Sequence, residues 1–290
     1  MRVIHMFQYP LNVIRENLNL IKSQGFDTIM ISPITPTKEH GNEFWLLYQP
    51  LDFTIGNTQI GTKEELINLC ESAHKIGLKI IQDVVLRHIA TDPRDKTKPH
   101  KDVNRELLKY LNGMPNATNY NDRNQVISYA TGMPMFDYNN SELHQIYIKF
   151  LDELIECGVD GFRLDQAKHY ALPRETRHYL KDEQNFFNNV WCRYKNKMLM
   201  GECIQCTREL LDEYSEYMLI LSDCDTTIKN NLVSWILSHD DFLSFGKNMS
   251  DEMLVNEYRI LVNNYPNTLF YTRPFNDTWK TKAIREINNR

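Results

Sequence analysis

The chain has 290 residues, 42% of them hydrophobic and 24% charged, enough apolar material for a sizeable core and too much for a disordered chain. A formal net charge of −5 speaks against a nucleic-acid partner, and the basic stretch at 93–101 is interrupted by acidic residues and prolines, as in a solvated loop. No window approaches the ~20 apolar residues of a membrane span, and no charged segment leads into an apolar one at the N-terminus, so no membrane partner and a cytoplasmic location are expected.

Along the chain, short β-branched runs alternate with longer amphipathic ones. Residues 3–7 predict the first strand. Leu11, Ile14, Leu18 and Ile21 recur at helical spacing and predict one helix over 11–24, stopped by Gly25. Residues 27–32 predict the second strand. Thr62 and Glu65 have the spacing of a capping box ahead of Leu66, Leu69, Cys70 and Ala73, a helix that ends at Gly77. Residues 78–85 read as a buried strand. A loop-rich insert follows, with Pro93, Pro99, Gly113, Pro115, Gly132 and Pro134. Beyond it come a helix over 141–157 closed by Gly158, strands at 159–164, 197–201, 217–221, 232–237 and 268–271, and a last helix over 279–288.

Strand–helix alternation implies a parallel sheet, because parallel strands need crossovers. Eight such units in ~250 residues suit a (β/α)8 TIM barrel better than an open sheet. The absence of a G-x-G-x-x-G after the first strand counts against a dinucleotide fold. The expected class is therefore α/β: a barrel built from residues 1–88 and 137–290, with a short insert, 89–136, after strand three. Among six cysteines, Cys203 and Cys206 form a C-x-x-C. A redox pair or half a zinc site is one reading. Two reduced cysteines after a strand is the other, favoured by the lack of a second pair or adjacent histidine.

Catalytic groups of such barrels sit at the C-terminal ends of the strands, and polar residues cluster there. Strand three ends with Asp83, Arg87 and His88; strand four with Arg163, Asp165, Lys168 and His169; strand five with Glu202; strand seven with His239, Asp240 and Asp241. Arg163 and Asp165 lie two apart on a strand and so share a face. A neighbouring guanidinium is expected to keep Asp165 ionised, as a nucleophile must be. A partly desolvated Glu202 beside another carboxylate suits a general acid, and such a pair fits glycoside hydrolysis with retention. A salt-bridged rim explains any one acid; it explains four matching strand ends poorly.

These segments resemble the α-amylase family, glycoside hydrolase family thirteen. DVVLRH is similar to the family's first conserved block, GFRLDQAKH to its second, GEC to its third, WILSHD to its fourth, and MFDYNN to the additional block before strand four; residues 44–66 look most like Bacillus-type α-amylases. The resemblance implies a retaining hydrolase of α-1,4-glucosidic bonds in α-glucans or maltooligosaccharides. It makes Asp165 the nucleophile, Glu202 the acid/base and Asp240 the third carboxylate. Arg163 orients the nucleophile, His88 and His239 hydrogen-bond the sugar, Tyr48 stacks under it, and Trp45 adds a second platform. Lys168 and His169 reach toward the reducing side, and Asp83 is a buried structural acid.

Three departures accompany the resemblance. Arg87 stands where the family has an asparagine that binds structural calcium, and Gln125 where a carboxylate ligand is expected. A guanidinium suits Ca²⁺ poorly, so no metal and no cofactor are expected, with Arg87 filling the place itself. The β-sandwich that follows the barrel in relatives is missing from the sequence, and the insert is short. A transglycosylase, a hydrolase of another α-glucoside polymer and a non-catalytic carbohydrate-binding barrel are the rival readings.

Overall fold

A computed structural model describes residues 1–38, 40–176, 184–222, 232–236, 250–274 and 277–290. Among them are eight strands: β1 (Arg2–Met6), β2 (Thr28–Ile31), β3 (Lys79–Val84), β4 (Gly161–Leu164), β5 (Met198–Glu202), β6 (Leu219–Leu221), β7 (Leu232–Ile236) and β8 (Asn267–Thr272). Each pairs in parallel with its neighbours in chain order, and β1 pairs with both β2 and β8, so the sheet closes into a barrel. The expected (β/α)8 class is what the chain adopts. Strand residues such as Ile4, Ile29, Ile81, Leu164 and Met200 are buried, as a sheet covered on both faces requires.

Close strand approach sets the level of the site. A Cβ on Gly161 would lie 1.9 Å from the Met198 carbonyl oxygen, and one on Gly201 would lie 2.3 Å from the Met218 sulfur. Glycine at 161 lets β4 and β5 meet there, and glycine at 201 leaves room for Met218 ahead of β6. The register pairs Gly161 with Met198 and Leu164 with Gly201. Asp165 and Glu202, each one residue further on, therefore leave the barrel at the same height.

The helices differ from expectation in two places. Residues 11–24 form two helices, Leu11–Glu16 and Leu18–Ser23, parted at Asn17. The Asn17 side-chain amide donates to the Val13 carbonyl at 2.8 Å, the local competition that makes asparagine a poor helix-interior residue. At the C-terminus, Thr278–Lys280 is a tight 3-10 turn, and the helix proper is Lys282–Asn288, N-capped by the Thr281 hydroxyl. The Thr62–Glu65 capping box does form, ahead of the helix Lys63–Lys75.

The segment after β3 folds back on the barrel. The Ile89 N–H donates to the Pro134 carbonyl, the Phe136 N–H to the Arg87 carbonyl, and His88 bridges Met135 in antiparallel fashion. It carries a turn at Arg105–Tyr110 and a helix at Arg123–Ser128. Among the described residues no helix is long and apolar enough to cross a membrane.

Candidate active site

Three carboxylates, on or just past three adjacent strands, converge on one guanidinium. Arg163 lies beside Asp83 in the β3–β4 register. Its Nη1 donates to Asp83 Oδ1 at 2.9 Å and to Asp165 Oδ1 at 2.8 Å, and its Nη2 reaches Glu202 Oε1 at 2.7 Å. The Tyr48 hydroxyl completes the set by donating to Asp83 Oδ2 at 2.7 Å. Asp83, Arg163 and Asp165 are at most 5% exposed, while the Glu202 side chain keeps 17% of its surface.

One cation thus serves three carboxylates. Burial pushes the Asp165 carboxyl well above the ordinary carboxylate range; Arg163 opposes this, and Glu202 and Asp83 add to it. Arg163 touches Asp165 and favours its ionised form, as expected, while burial works against it. Desolvation is the main cause, and the single guanidinium that opposes it is shared among three acids. Burial raises Asp83 as well.

A cavity of about 220 Å³ opens above this cluster. Asp165 and Glu202 line it together with Trp45, Tyr48, His88 and Met133. Trp45 is 41% exposed, its ring approached by Lys38 Nζ at 5.7 Å from the centroid. Tyr48 is buried and stacks on Phe7 at 6.0 Å. His88 donates from Nε2 to the Tyr48 carbonyl, 2.8 Å away, and burial lowers its pKa to about 4, which favours the neutral ring. Two larger cavities, of about 350 and 380 Å³, are lined by residues of the insert and the segment just after it and contain none of these acids.

Other candidates fall elsewhere. Lys168 donates to the Ile204 carbonyl at 2.9 Å and lines a separate cavity of about 320 Å³. His169 lines neither cavity: its Nδ1 lies 2.7 Å from the Val126 carbonyl, and it is 4% exposed. His239, Asp240 and Asp241 lie outside the described residues. Gln166 is a site residue that sequence patterning missed. Its backbone is left-handed at φ 50°, which few non-glycine residues adopt. Its N–H donates to Glu202 Oε2 at 3.0 Å, and its side-chain Oε1 accepts from the Thr131 hydroxyl at 3.2 Å, tying barrel to insert across the cavity rim. No residue type signals such a conformation in advance.

Burial lowers the His169 pKa to about 3. The unfolded chain takes up this proton below about pH 6.5, whereas the folded chain refuses it until about 3. His169 therefore withdraws stability as pH falls through that window and none above it. The loss on this account is on the order of 3 kcal/mol near pH 4. His169→Gln is expected to flatten the fall in urea midpoint between neutral pH and roughly pH 4. An unchanged slope would refute the burial-driven shift.

Arg87 sits at the junction of barrel and insert. It is fully buried, donating from Nη1 to the Phe136 carbonyl at 3.1 Å and from Nη2 to the Ile127 carbonyl at 2.8 Å, with its guanidinium carbon 4.3 Å from the Tyr138 ring centroid. Close by, Arg123 binds the Lys168 and Tyr170 carbonyls and pairs with Glu175. Gln125 is satisfied within the insert, accepting the Thr118 and Asn119 N–H groups. A divalent cation wants oxygens and negative charge, and two guanidinium groups already take four of the carbonyls here.

A family model described as alpha amylase, catalytic domain, matches residues 10–240. An α-amylase of Clostridium acetobutylicum is 31% identical over 212 residues, covering 70% of this chain and 28% of that protein. An α-amylase of Butyrivibrio fibrisolvens is 25% identical over 342 residues, covering 95% of this chain and 35% of the other. The chain thus spans about a third of the length of these relatives. Among solved structures, an Anoxybacillus α-amylase superposes with a TM-score of 0.74 at 17% identity, covering 99% of this chain and 76% of the other.

Proposed function

The chain belongs to the α-amylase family, and from that premise we propose that it is a retaining glycoside hydrolase acting on α-1,4-glucosidic bonds of α-glucans or maltooligosaccharides. One observation carries this reading. Asp165 and Glu202 contact different nitrogens of a single buried guanidinium, in a cavity that Trp45 and Tyr48 also line. Two carboxyl groups that share one guanidinium suit retention, for which a separation of roughly 5–5.5 Å is typical.

In the first step Asp165 attacks the anomeric carbon while Glu202 protonates the departing glycosidic oxygen. In the second, water attacks the glycosyl ester with Glu202 as base. The two acids have surroundings that suit the division. Glu202, the more exposed, is steered by Arg163 on one oxygen and the Gln166 N–H on the other. Asp165 lies deeper, and the positive charge developing on the sugar at the transition state favours its ionised form. Asp240 is the proposed third carboxylate, with His239 and His88 as hydrogen-bond partners of the sugar.

The reading is tested by incubating the protein with an array of α-linked oligosaccharides and following the products by chromatography and proton NMR. The expected result is shorter maltooligosaccharides released first as the α anomer; longer products would mark transfer to sugar. Release of the β anomer would contradict retention, and no cleavage of any α-1,4-linked member would sink the hydrolase reading. Tyr48→Ala is expected to cost roughly 10²-fold in kcat/KM, through lost positioning of sugar and of Asp83 together. Tyr48→Phe, which removes only the hydroxyl on Asp83, should cost less. Equal losses in the two variants would argue against a role for the ring.

The same reading holds that barrel and insert are joined without calcium. It is supported by Arg87 standing, with its charge, at the place the resemblance assigns to a calcium ligand, and by its two bonds to carbonyls on the insert side of the junction.

A further inference from the structure

The two thiols that follow Glu202 are not absorbed by the glycosidase reading. Cys203 is fully buried, and its N–H is pinned to the Leu221 carbonyl of β6 at 2.9 Å. Between the cysteines, Gln205 adopts a left-handed backbone at φ 55°, and this folds the turn back on itself. The Cys206 thiol is turned back toward the Ile204 carbonyl, 3.9 Å away, and its proximity helps raise the pKa of the Cys203 thiol. Unlike Cys203, Cys206 is only partly buried and lines the cavity of about 320 Å³ beside Lys168. Cys70 and Cys157, by contrast, are both buried.

We propose that Cys203 and Cys206 form a reversible oxidation site, a dithiol that a hydroperoxide converts to a disulfide, and that closing it slows turnover at Glu202. The order of events follows from access. Burial pushes the Cys203 thiol well up, so it is a poor first nucleophile. The Cys206 thiolate attacks one peroxide oxygen; the O–O bond breaks, and the other oxygen leaves as water after taking a proton. Cys206 is then a sulfenic acid. The Cys203 sulfur attacks Cys206 Sγ, the S–O bond breaks, and the hydroxyl departs as water with the Cys203 proton. Hydrogen peroxide is reduced to water, and the dithiol is oxidised by an electron pair. An external dithiol restores the reduced pair by exchange.

The link to Glu202 is mechanical. A disulfide holds its sulfurs at about 2.05 Å, well inside a thiol hydrogen bond. Because Cys203 is fixed to β6, the contraction falls on the turn from Ile204 to Cys206. The Ile204 carbonyl holds Lys168, which follows Asp165 and Gln166 by only a few residues. Oxidation therefore pulls on both chain segments that carry the catalytic acids. A displacement of about 1 Å at such a site can cost on the order of 10²-fold; a loss of roughly tenfold is expected for this smaller shift.

The experiment treats the folded chain with hydrogen peroxide, alkylates remaining thiols, maps the peptides by mass spectrometry and assays maltooligosaccharide cleavage before and after dithiothreitol. The expected result is a 203–206 peptide that has lost two hydrogens and resists alkylation, with activity reduced and then restored. Cys206→Ser, compared with its own untreated form, should show neither change. Two alkylatable thiols after treatment, or a Cys206 sulfinic acid beside a free Cys203, would overturn the site. A disulfide that forms with no change in rate would overturn the coupling. The coupling rests on the hydrolase reading, whereas the peptide map does not, so a chain that cleaves no α-glucan can still confirm or refute the oxidation site.

Discussion

Glu202→Gln is expected to fold normally and to lose roughly 10²–10⁴-fold in turnover on oligosaccharides, the range that positioned general acid–base groups contribute. The loss should depend on the leaving group. An aryl glycoside whose phenolate departs without protonation bypasses the first duty of Glu202, so the variant should still release one burst of phenolate and then stall at the ester. Asp165→Asn should show no burst, because the amide cannot form the ester, and its loss should be at least as large. The two variants are separated by a stopped-flow trace on one substrate. A burst from Asp165→Asn, or full turnover by either variant, would reverse the assignment.

Asp165→Asn has a second expected effect, of opposite sign. Burial raises the Asp165 carboxyl in the folded chain. A carboxyl whose folded pKa lies above its unfolded value contributes stability at low pH and loses it as pH rises through the folded pKa. At neutral pH the ionised form is therefore a cost. Asparagine removes that charge, and Arg163 still has Asp83 and Glu202 as partners. The variant should melt at or above the parent temperature near pH 7, a trade of activity against stability seen where catalytic charges are buried. A clear fall in melting temperature would show that Asp165 supports the fold.

Arg87→Asn is expected to destabilise the chain by about 3 kcal/mol, since two charge-assisted hydrogen bonds are lost and two buried carbonyls stay behind. For a domain of this size that is a drop of roughly 6–12 °C in melting temperature. The shorter side chain restores the family's residue type without restoring a ligand set: Arg123 still holds the neighbouring carbonyls and Gln125 still replaces a carboxylate. Calcium should therefore not rescue the variant, and a chelator should not shift the melting curve of the parent. Stabilisation of the parent by millimolar calcium, or its loss with a chelator, would contradict the calcium-free junction.

The residues themselves determined the class of fold. Period-two and period-3.6 patterns are local properties of a chain, and eight alternations of the two leave little besides a parallel barrel. The same locality made Arg163 and Asp165 legible as one face of one strand, and it placed Glu202 and Asp83 at strand ends where barrels carry chemistry. Local patterns could not give the distribution of charge across strands. Whether Arg163 serves one acid or three depends on the β3–β4–β5 register, which Gly161 and Gly201 permit by close approach but do not announce. The residue pair was legible in the sequence; the burial that opposes ionisation of Asp165 was not. Lys168 and His169 show the same limit: neighbours in sequence, they part because a turn after β4 sends one to the Ile204 carbonyl and buries the other against Val126. Gln166 and Gln205 hold left-handed backbones that glycine would have advertised and glutamine conceals. Asn17 divides a helix whose apolar spacing runs through unbroken, because its amide bonds the backbone in place of water. Pattern fixes which faces are buried. Only closure of the barrel and packing of the insert decide which buried polar groups meet, since contacts such as Tyr48–Asp83 and Arg163–Asp83 join residues 35 and 80 positions apart and depend on the register and turns of every segment between.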